Sequence, residues 1–157
     1  MDGGDTTDNY ASHLTVVTEG EWAGWSWYPD GDPFETLAGP LYWKKEADGS
    51  ATSAFRAERK HMNGGGFMHG GCVMTFADFC LFAIANNVLK GSHSVTATFN
   101  GEFVGTCHEG DLVEGRGEVV KAGRSLVFIR GIISNASQGG EPMMSFSATL
   151  KKTGPRN

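Results

Sequence analysis

Most of this chain carries the alternating pattern of β-strands, and one apolar stretch interrupts it. Six segments beyond Pro40 alternate apolar and polar residues, and turns rich in glycine separate them. They begin near Leu41, Ser50, His93, Asp111, Ser125 and Pro142. The apolar stretch, 72–85, follows the second segment and has the length of a helix. Because an antiparallel sheet with one apolar face needs a cover, the pattern predicts an α+β fold, a curved sheet of about six strands wrapped around one long helix.

Composition limits the classes of function open to the chain. The 157 residues fit a single domain, predicted over residues 21–157 after a mobile tail at 1–20. The net charge of −5 and the scattered basic residues argue against a nucleic-acid partner. Three cysteines without paired spacing indicate free thiols. The acidic N-terminus and an apolar stretch shorter than the roughly 20 residues of a membrane span predict a cytoplasmic protein without a membrane partner.

The segment before the first strand is rich in aromatic residues. Three tryptophans, Trp22, Trp25 and Trp27, fall within six positions, and a short helix is predicted to begin at Pro33 or Phe34. Aromatic side chains bury large areas, so one interpretation is a flap that covers a sheet edge. The alternative is a wall or lid for an apolar ligand, lined by Tyr28, Trp25 or Trp27.

Glycines crowd the entrance to the apolar helix, in the sequence HMNGGGFMHGGCVMTFAD. No buried parallel strand precedes them and no Lys-Ser or Lys-Thr pair closes the run, which argues against a dinucleotide site and a P-loop. His61 and His69 lack the spacing of metal ligands, so no metal site is predicted. Cys72 lies in the first helical turn, and a cysteine nucleophile with His69 as its base is a minor alternative to a packed thiol.

Asp78 is the only acid in the apolar helix. The sequence predicts that this carboxylate is buried, and burial of an ionised carboxylate costs several kcal/mol unless it has partners. Thr75, three residues earlier, can donate a hydrogen bond to it. One interpretation is a carboxylate bonded by Thr75 at a subunit contact. The other is a catalytic group, either a general base or a nucleophile.

Gly70 and Gly71 provide the hydrogen-bond donors that a catalytic role for Asp78 requires. The backbone N–H groups of Gly70 and Gly71 open the helix, have no acceptor within it and lie at its positive end. An oxyanion would be stabilised there, and glycine lets a carbonyl approach the backbone closely. With Asp78 to activate water and Asn63 to orient it, the residues predict hydrolytic acyl transfer. Gly71 and Thr75 are predicted to contact the substrate.

Asn63, His69-Gly70-Gly71 and Asp78 together resemble the signature of hotdog-fold acyl-CoA thioesterases. The branch is that of the phenylacetate-pathway and hydroxybenzoyl-CoA thioesterases, and the resemblance covers about residues 33–153. It implies a hotdog fold and an enzyme that hydrolyses a small, medium or aryl acyl-CoA without metal or cofactor. Asp78 would be the catalytic carboxylate and Gly70 the oxyanion donor, while Asn63 and His69 would position water and thioester.

The resemblance also implies roles outside the helix. Thr96 falls where the family often places a hydroxyl near the nucleophilic water. The turn Gly123-Arg124-Ser125 resembles a hairpin that contacts CoA. The family usually forms homodimers that pair into tetramers.

Two other functions stay open on the sequence, a hotdog hydratase or dehydratase and a non-catalytic acyl-ligand binding protein. The spacing of Gly70 and Asp78, eight residues on one helix, corresponds to about 12 Å along its axis. A single tetrahedral centre needs both groups close by. We therefore expect one chain to supply Asn63 and Gly70, and its partner in a two-fold dimer to supply Asp78 and Thr96.

Overall fold

The computed structural model describes residues 13–155, which form eight strands and two α-helices. In chain order these are β1 (Thr15–Val16), β2 (Ser26–Trp27), α1 (Pro33–Ala38), β3 (Tyr42–Lys45), β4 (Ala51–Arg56), α2 (Gly70–Ile84), β5 (Ser92–Phe103), β6 (Leu112–Ala122), β7 (Leu126–Asn135) and β8 (Glu141–Pro155). Most of the predicted N-terminal tail, residues 1–12, lies outside the described residues.

The strands form one antiparallel sheet in the order β1-β2-β3-β4-β6-β7-β8-β5. The predicted α+β layout is confirmed, and all six predicted strands are present as β3 to β8. The predicted count was too low because β1 and β2 have two residues each, too few to show alternation. Both come from the N-terminal segment and extend the sheet beyond β3.

Helix α2 packs against one face of the sheet, and its buried side chains form the centre of the core. Phe76 packs against Phe55 of β4, with ring centroids 4.7 Å apart. Two glycines in β6 allow α2 to approach the sheet closely. A Cβ at Gly115 would lie 2.3 Å from the Cys80 sulfur, and one at Gly117 would lie 2.7 Å from the Ile84 side chain. The sequence GRG of β6 therefore provides a groove for the helix.

The aromatic N-terminal segment packs on the outer edge of the sheet. Trp22 stacks on Tyr42 at 4.3 Å between ring centroids, and Trp25 meets Trp22 edge-on at 5.3 Å. The ammonium of Lys44 lies 4.8 Å from the centre of a Trp25 ring. The segment therefore packs its rings on β3 and, as β1 and β2, itself forms the edge of the sheet rather than covering it. Helix α1 begins at Pro33, as predicted, where the Asp32 carboxylate caps it by accepting from two backbone N–H groups.

Among residues 13–155, no helix is both long and apolar enough to cross a membrane.

Candidate active site

The glycine loop before α2 fixes the side chain of Asn63. The Asn63 N–H donates to the Phe67 carbonyl at 2.8 Å, and its side-chain Oδ1 accepts from the Gly65 N–H at 2.8 Å. Gly66 takes a φ of +81°, a conformation that favours glycine. Because Oδ1 is engaged, the Asn63 side chain presents its amide N–H₂ group, which has no acceptor in the described part of the chain. Asn63 is therefore held as a hydrogen-bond donor.

His69 is the N-cap of α2, and this changes which backbone N–H groups are free. Its Nδ1 accepts from the Gly71 N–H at 2.9 Å. Its carbonyl accepts from Cys72 and Val73. The expectation that both Gly70 and Gly71 have free N–H groups is wrong for Gly71. The Gly70 N–H has no acceptor among the described residues, so it is the group left at the positive end of the helix.

Asp78 is exposed in the single chain, so the prediction that it is buried is wrong. It lies on an exposed side of α2, beside the edge strand β5. Thr75 does not bond to it, because the Thr75 hydroxyl donates to the Gly71 carbonyl at 2.9 Å. The partner of Asp78 is Thr96 of β5, whose Oγ1 donates to Asp78 Oδ1 at 2.6 Å. The other carboxylate oxygen, Oδ2, has no hydrogen-bond partner within residues 13–155.

Strand β5 contacts both ends of the candidate site. Thr96 touches Asp78, whereas the ring of Phe103 lies beside Gly70, 3.3 Å from where a Cβ on Gly70 would stand. The strand therefore runs along α2 in the opposite direction. Gly70 and Asp78 sit about 12 Å apart along the helix axis, against two different stretches of the same strand.

The cysteines are poorly suited to nucleophilic catalysis. Burial raises the pKa of the Cys72 thiol to about 11 and that of Cys107 to about 12, and burial also raises the pKa of Cys80. Thiols with such pKa values carry almost no thiolate near neutral pH. The nitrogen Nδ1 of His69 already accepts from Gly71, so the minor alternative of a Cys72–His69 pair loses its support. No set of three or more His, Cys, Asp or Glu side chains in the described chain is placed to hold a metal ion.

The predicted CoA-contacting turn joins β6 to β7. The Gly123 N–H donates to the Leu126 carbonyl at 2.7 Å, and the Ser125 carbonyl accepts from the Lys152 N–H at 2.8 Å. Arg124 is exposed, and its guanidinium has neither an ion pair nor a hydrogen bond to any described residue. Within one chain, no hydrogen bond connects this turn with Asn63, Gly70 or Asp78.

A cavity of about 440 Å³ lies between the N-terminal segment and the C-terminal half of α2. Its apolar walls are Tyr28, Trp43, Phe79, Phe82, Ala83 and Leu89. The polar lining residues include Asp32, Glu35, Asn86, Lys90, His93 and Ser94. Of the aromatic residues predicted to line the site, Tyr28 lines this cavity. Trp27 lines a second cavity of about 200 Å³, and Trp25 lines neither. Trp43 was not predicted, because strand alternation alone did not show which face of β3 meets the helix.

Comparisons with known proteins identify the family. The sequence model of the thioesterase superfamily matches residues 65–141. PA0474 of Pseudomonas aeruginosa, a candidate esterase, is 33% identical over 97 residues, which make up 61% of this chain and 72% of that protein. The chain belongs to the thioesterase superfamily. Its enzyme class, thioester hydrolase, is as predicted.

Solved structures of other proteins show the same fold. A hypothetical thioesterase of Streptococcus pneumoniae, solved with coenzyme A, superposes with a TM-score of 0.65 at 23% identity, over 74% of this chain and 88% of that one. PaaI of Escherichia coli, from the phenylacetic acid degradation operon, gives 0.61 at 20% identity, over 67% and 73%. BH2602 of Bacillus halodurans, solved with CoA, gives 0.70 at 17% identity, over 80% and 81%. The predicted hotdog fold of this thioesterase superfamily member is confirmed.

Proposed function

We propose that the chain is an acyl-CoA thioesterase in which Asp78 activates water or attacks the thioester. The observation that carries this proposal is the exposed Asp78 carboxylate bonded to Thr96 at 2.6 Å. Thr96 fixes one carboxylate oxygen and leaves Oδ2 free to accept a proton from water or to attack the carbonyl carbon. Two of the structures with the same fold were solved with CoA, which supports a CoA ester as the substrate.

The other half of the proposed site lies at the start of α2. The free N–H of Gly70 donates to the thioester oxygen and stabilises the charge that develops on it in the transition state. The acceptor atoms of Asn63 and His69, Oδ1 and Nδ1, are already bonded to backbone N–H groups. The Asn63 amide N–H₂ and the His69 Nε2–H therefore act as donors for water and thioester. The Gly71 N–H and the Thr75 hydroxyl already donate hydrogen bonds within the chain. These two residues therefore contact the substrate only through van der Waals packing.

A second copy of the chain completes the proposed site. Strand β5 is an edge of the sheet, bonded in the described chain only to β8. Four exposed apolar side chains lie on β5, just beyond its end, or on α2, and they are Met74 (45% exposed), Val95 (51%), Phe103 (53%) and Val104 (60%). A sheet edge with unpaired backbone groups and apolar side chains favours pairing with a strand of another chain. A two-fold dimer through this edge would cover the α2 face that carries Asp78 and bring it near the partner's helix start.

A panel of acyl-CoA esters with a thiol reagent tests the proposed activity. We expect one free thiol and one free acid for each ester consumed. Hydration or dehydration of the acyl group with the thioester intact would identify the hydratase alternative. Binding without turnover of any small, medium or aryl ester would identify a binding protein and overturn the proposal.

Gly70→Ala is expected to lower kcat more than it raises KM. Alanine keeps the N–H, but its methyl group holds the thioester oxygen away from that N–H and so weakens a hydrogen bond that is strongest in the transition state. The loss of kcat should therefore be about tenfold to a hundredfold, less than the ~10²–10³ of a deleted oxyanion donor. The new Cβ would also lie 3.3 Å from Phe103, so Phe103→Leu alone and the double variant serve as controls. An effect on KM alone would show that Gly70 only provides space.

Arg124→Ala is expected to weaken the binding of CoA esters, with KM raised roughly tenfold, and to leave short pantetheine thioesters unaffected. Only the CoA esters carry the phosphates that a guanidinium binds. Arg130→Ala removes the same charge from β7, where Arg130 is paired with Glu118 at 2.5 Å, and is the matched control. Steady-state kinetics on both substrate types decide the matter. Equal losses on both types would contradict a phosphate role for the Gly123-Arg124-Ser125 turn.

A further inference from the structure

The glycine loop, residues 63–67, is bonded to the rest of the chain at one point. The N–H groups of Asn63, Gly65 and Gly66 donate within the loop itself. The Gly66 carbonyl lies 3.1 Å from Nδ1 of His108, and within residues 13–155 this is the one hydrogen bond that leaves the loop. Because a carbonyl oxygen only accepts, the His108 ring donates from Nδ1.

The glycine loop has little rigidity of its own. Three consecutive glycines, residues 64–66, form its exposed part, and glycine loses more conformational freedom on ordering than any other residue. The ring of Phe67 lies beside Gly65 of the same loop and is 42% exposed, so its packing does not attach the loop to the core. Without the bond from His108, we therefore expect the loop and the Asn63 amide to sample several positions.

His108 is itself firmly placed, on the loop 104–111 that joins β5 to β6. Its backbone N–H donates to Oδ2 of Asp111 at 3.0 Å, and the Asn135 amide donates to the same oxygen at 2.9 Å. Cys107, the preceding residue, is completely buried. The His108 ring thus meets the glycine loop from a fixed base and restrains it.

We propose that His108 is a positioning residue, whose Nδ1–H holds the glycine loop so that the Asn63 amide meets water and thioester. The proposal rests on the thioesterase function proposed above. His108 touches no reacting atom in this account and acts through Gly66 and Asn63. A displacement of about 1 Å in a group that positions the substrate can cost on the order of a hundredfold in rate, so the restraint on the loop affects catalysis.

Two variants of nearly the same shape test the role of the Nδ1–H. Asparagine carries a donor at the δ position, whereas leucine has the same branched outline without a polar atom. We expect His108→Leu to lower kcat for acyl-CoA hydrolysis by about tenfold and to change KM by less than about twofold, since one hydrogen bond is lost. His108→Asn should keep kcat within about threefold of wild type. Glu109→Ala is the control, because Glu109 is the next residue, is exposed and bonds to no described residue.

Hydrogen exchange of the loop amides gives a readout that does not depend on activity. The N–H groups of Asn63, Gly65 and Gly66 are bonded only while the loop keeps its shape, and local opening exposes such groups to exchange. They should exchange faster in His108→Leu than in wild type or His108→Asn. The amides of β7 report on global stability and should exchange at the same rate in all of these proteins.

Normal kcat in folded His108→Leu would overturn the proposal, and so would a loss of kcat without faster exchange of the loop amides. Equal losses in His108→Asn and His108→Leu would also overturn it, because the donor at the δ position would then be irrelevant. His108→Ala carries the same expectation as His108→Leu, so the test does not depend on the folding of one variant. Wild-type protein that hydrolyses no acyl-CoA ester would instead contradict the proposed function, and the exchange rates would still show whether His108 holds the loop.

Discussion

Asp78→Asn is expected to lower kcat for acyl-CoA hydrolysis by at least about a hundredfold, with the fold intact. The amide is nearly the same shape as the carboxylate and can still accept from Thr96, but it can neither take a proton from water nor attack a thioester. Loss of a positioned acid–base group typically costs 10²–10⁴ in rate. Because Asp78 is exposed in the single chain, its replacement should not destabilise the core. The measurement is kcat, with thermal unfolding as the check on folding.

Thr96→Val is the matched control for Asp78→Asn. It removes the hydroxyl that donates at 2.6 Å to Asp78 and leaves the carboxylate in place. We expect a smaller loss of kcat, about tenfold, because the hydroxyl positions the reacting group and does not itself react. Near-normal turnover by folded Asp78→Asn would contradict the catalytic role of Asp78. A larger loss in Thr96→Val than in Asp78→Asn would assign the chemistry to Thr96 instead.

Much of the fold could be predicted because burial follows periodicity in this chain. In β7, Val127, Ile129 and Ile133 are buried while Leu126 and Phe128 are exposed, as strict alternation predicts. Helix α2 could also be predicted, because 72–85 is the longest apolar stretch of the sequence and does not alternate as the strands do. The two-residue strands β1 and β2 were missed because local sequence carries no pattern over so short a length.

The sequence proposes the members of the candidate site, which stay predictions, and it shows only part of the contacts that these residues make. The spacing of Asn63, Gly70 and Asp78 along the sequence identified the residues. The sequence could not show that His69 bonds the Gly71 N–H, because a cap depends on a side-chain rotamer. Nor could it show that Asp78 is exposed, because the residue lies in an apolar helix and its exposure depends on which face the sheet covers. Trp43 was missed for the same reason.

The spacing of Gly70 and Asp78 along α2 leads us to expect that each active site is shared between two chains. Gly70 and Asp78 lie about 12 Å apart along one helix, and β5 holds them against separate stretches of strand. Side chains lean toward the helix N-terminus and recover part of this distance. In a two-fold dimer with antiparallel helices, Gly70 of one protomer would face Asp78 of its partner, and each dimer would carry two composite sites.

Co-expression of Asp78→Ala and Asn63→Ala tests this claim most directly, because activity requires both residues and a shared site. Each variant alone is expected to be inactive. Random pairing makes half of the dimers mixed, and each mixed dimer has one intact site of two, so about a quarter of wild-type activity should return. The same two proteins purified separately and assayed on mixing, before subunits exchange, are the control and should stay inactive. If each site lies within one chain, every site is broken and the co-expressed protein will show no activity above that of the single variants.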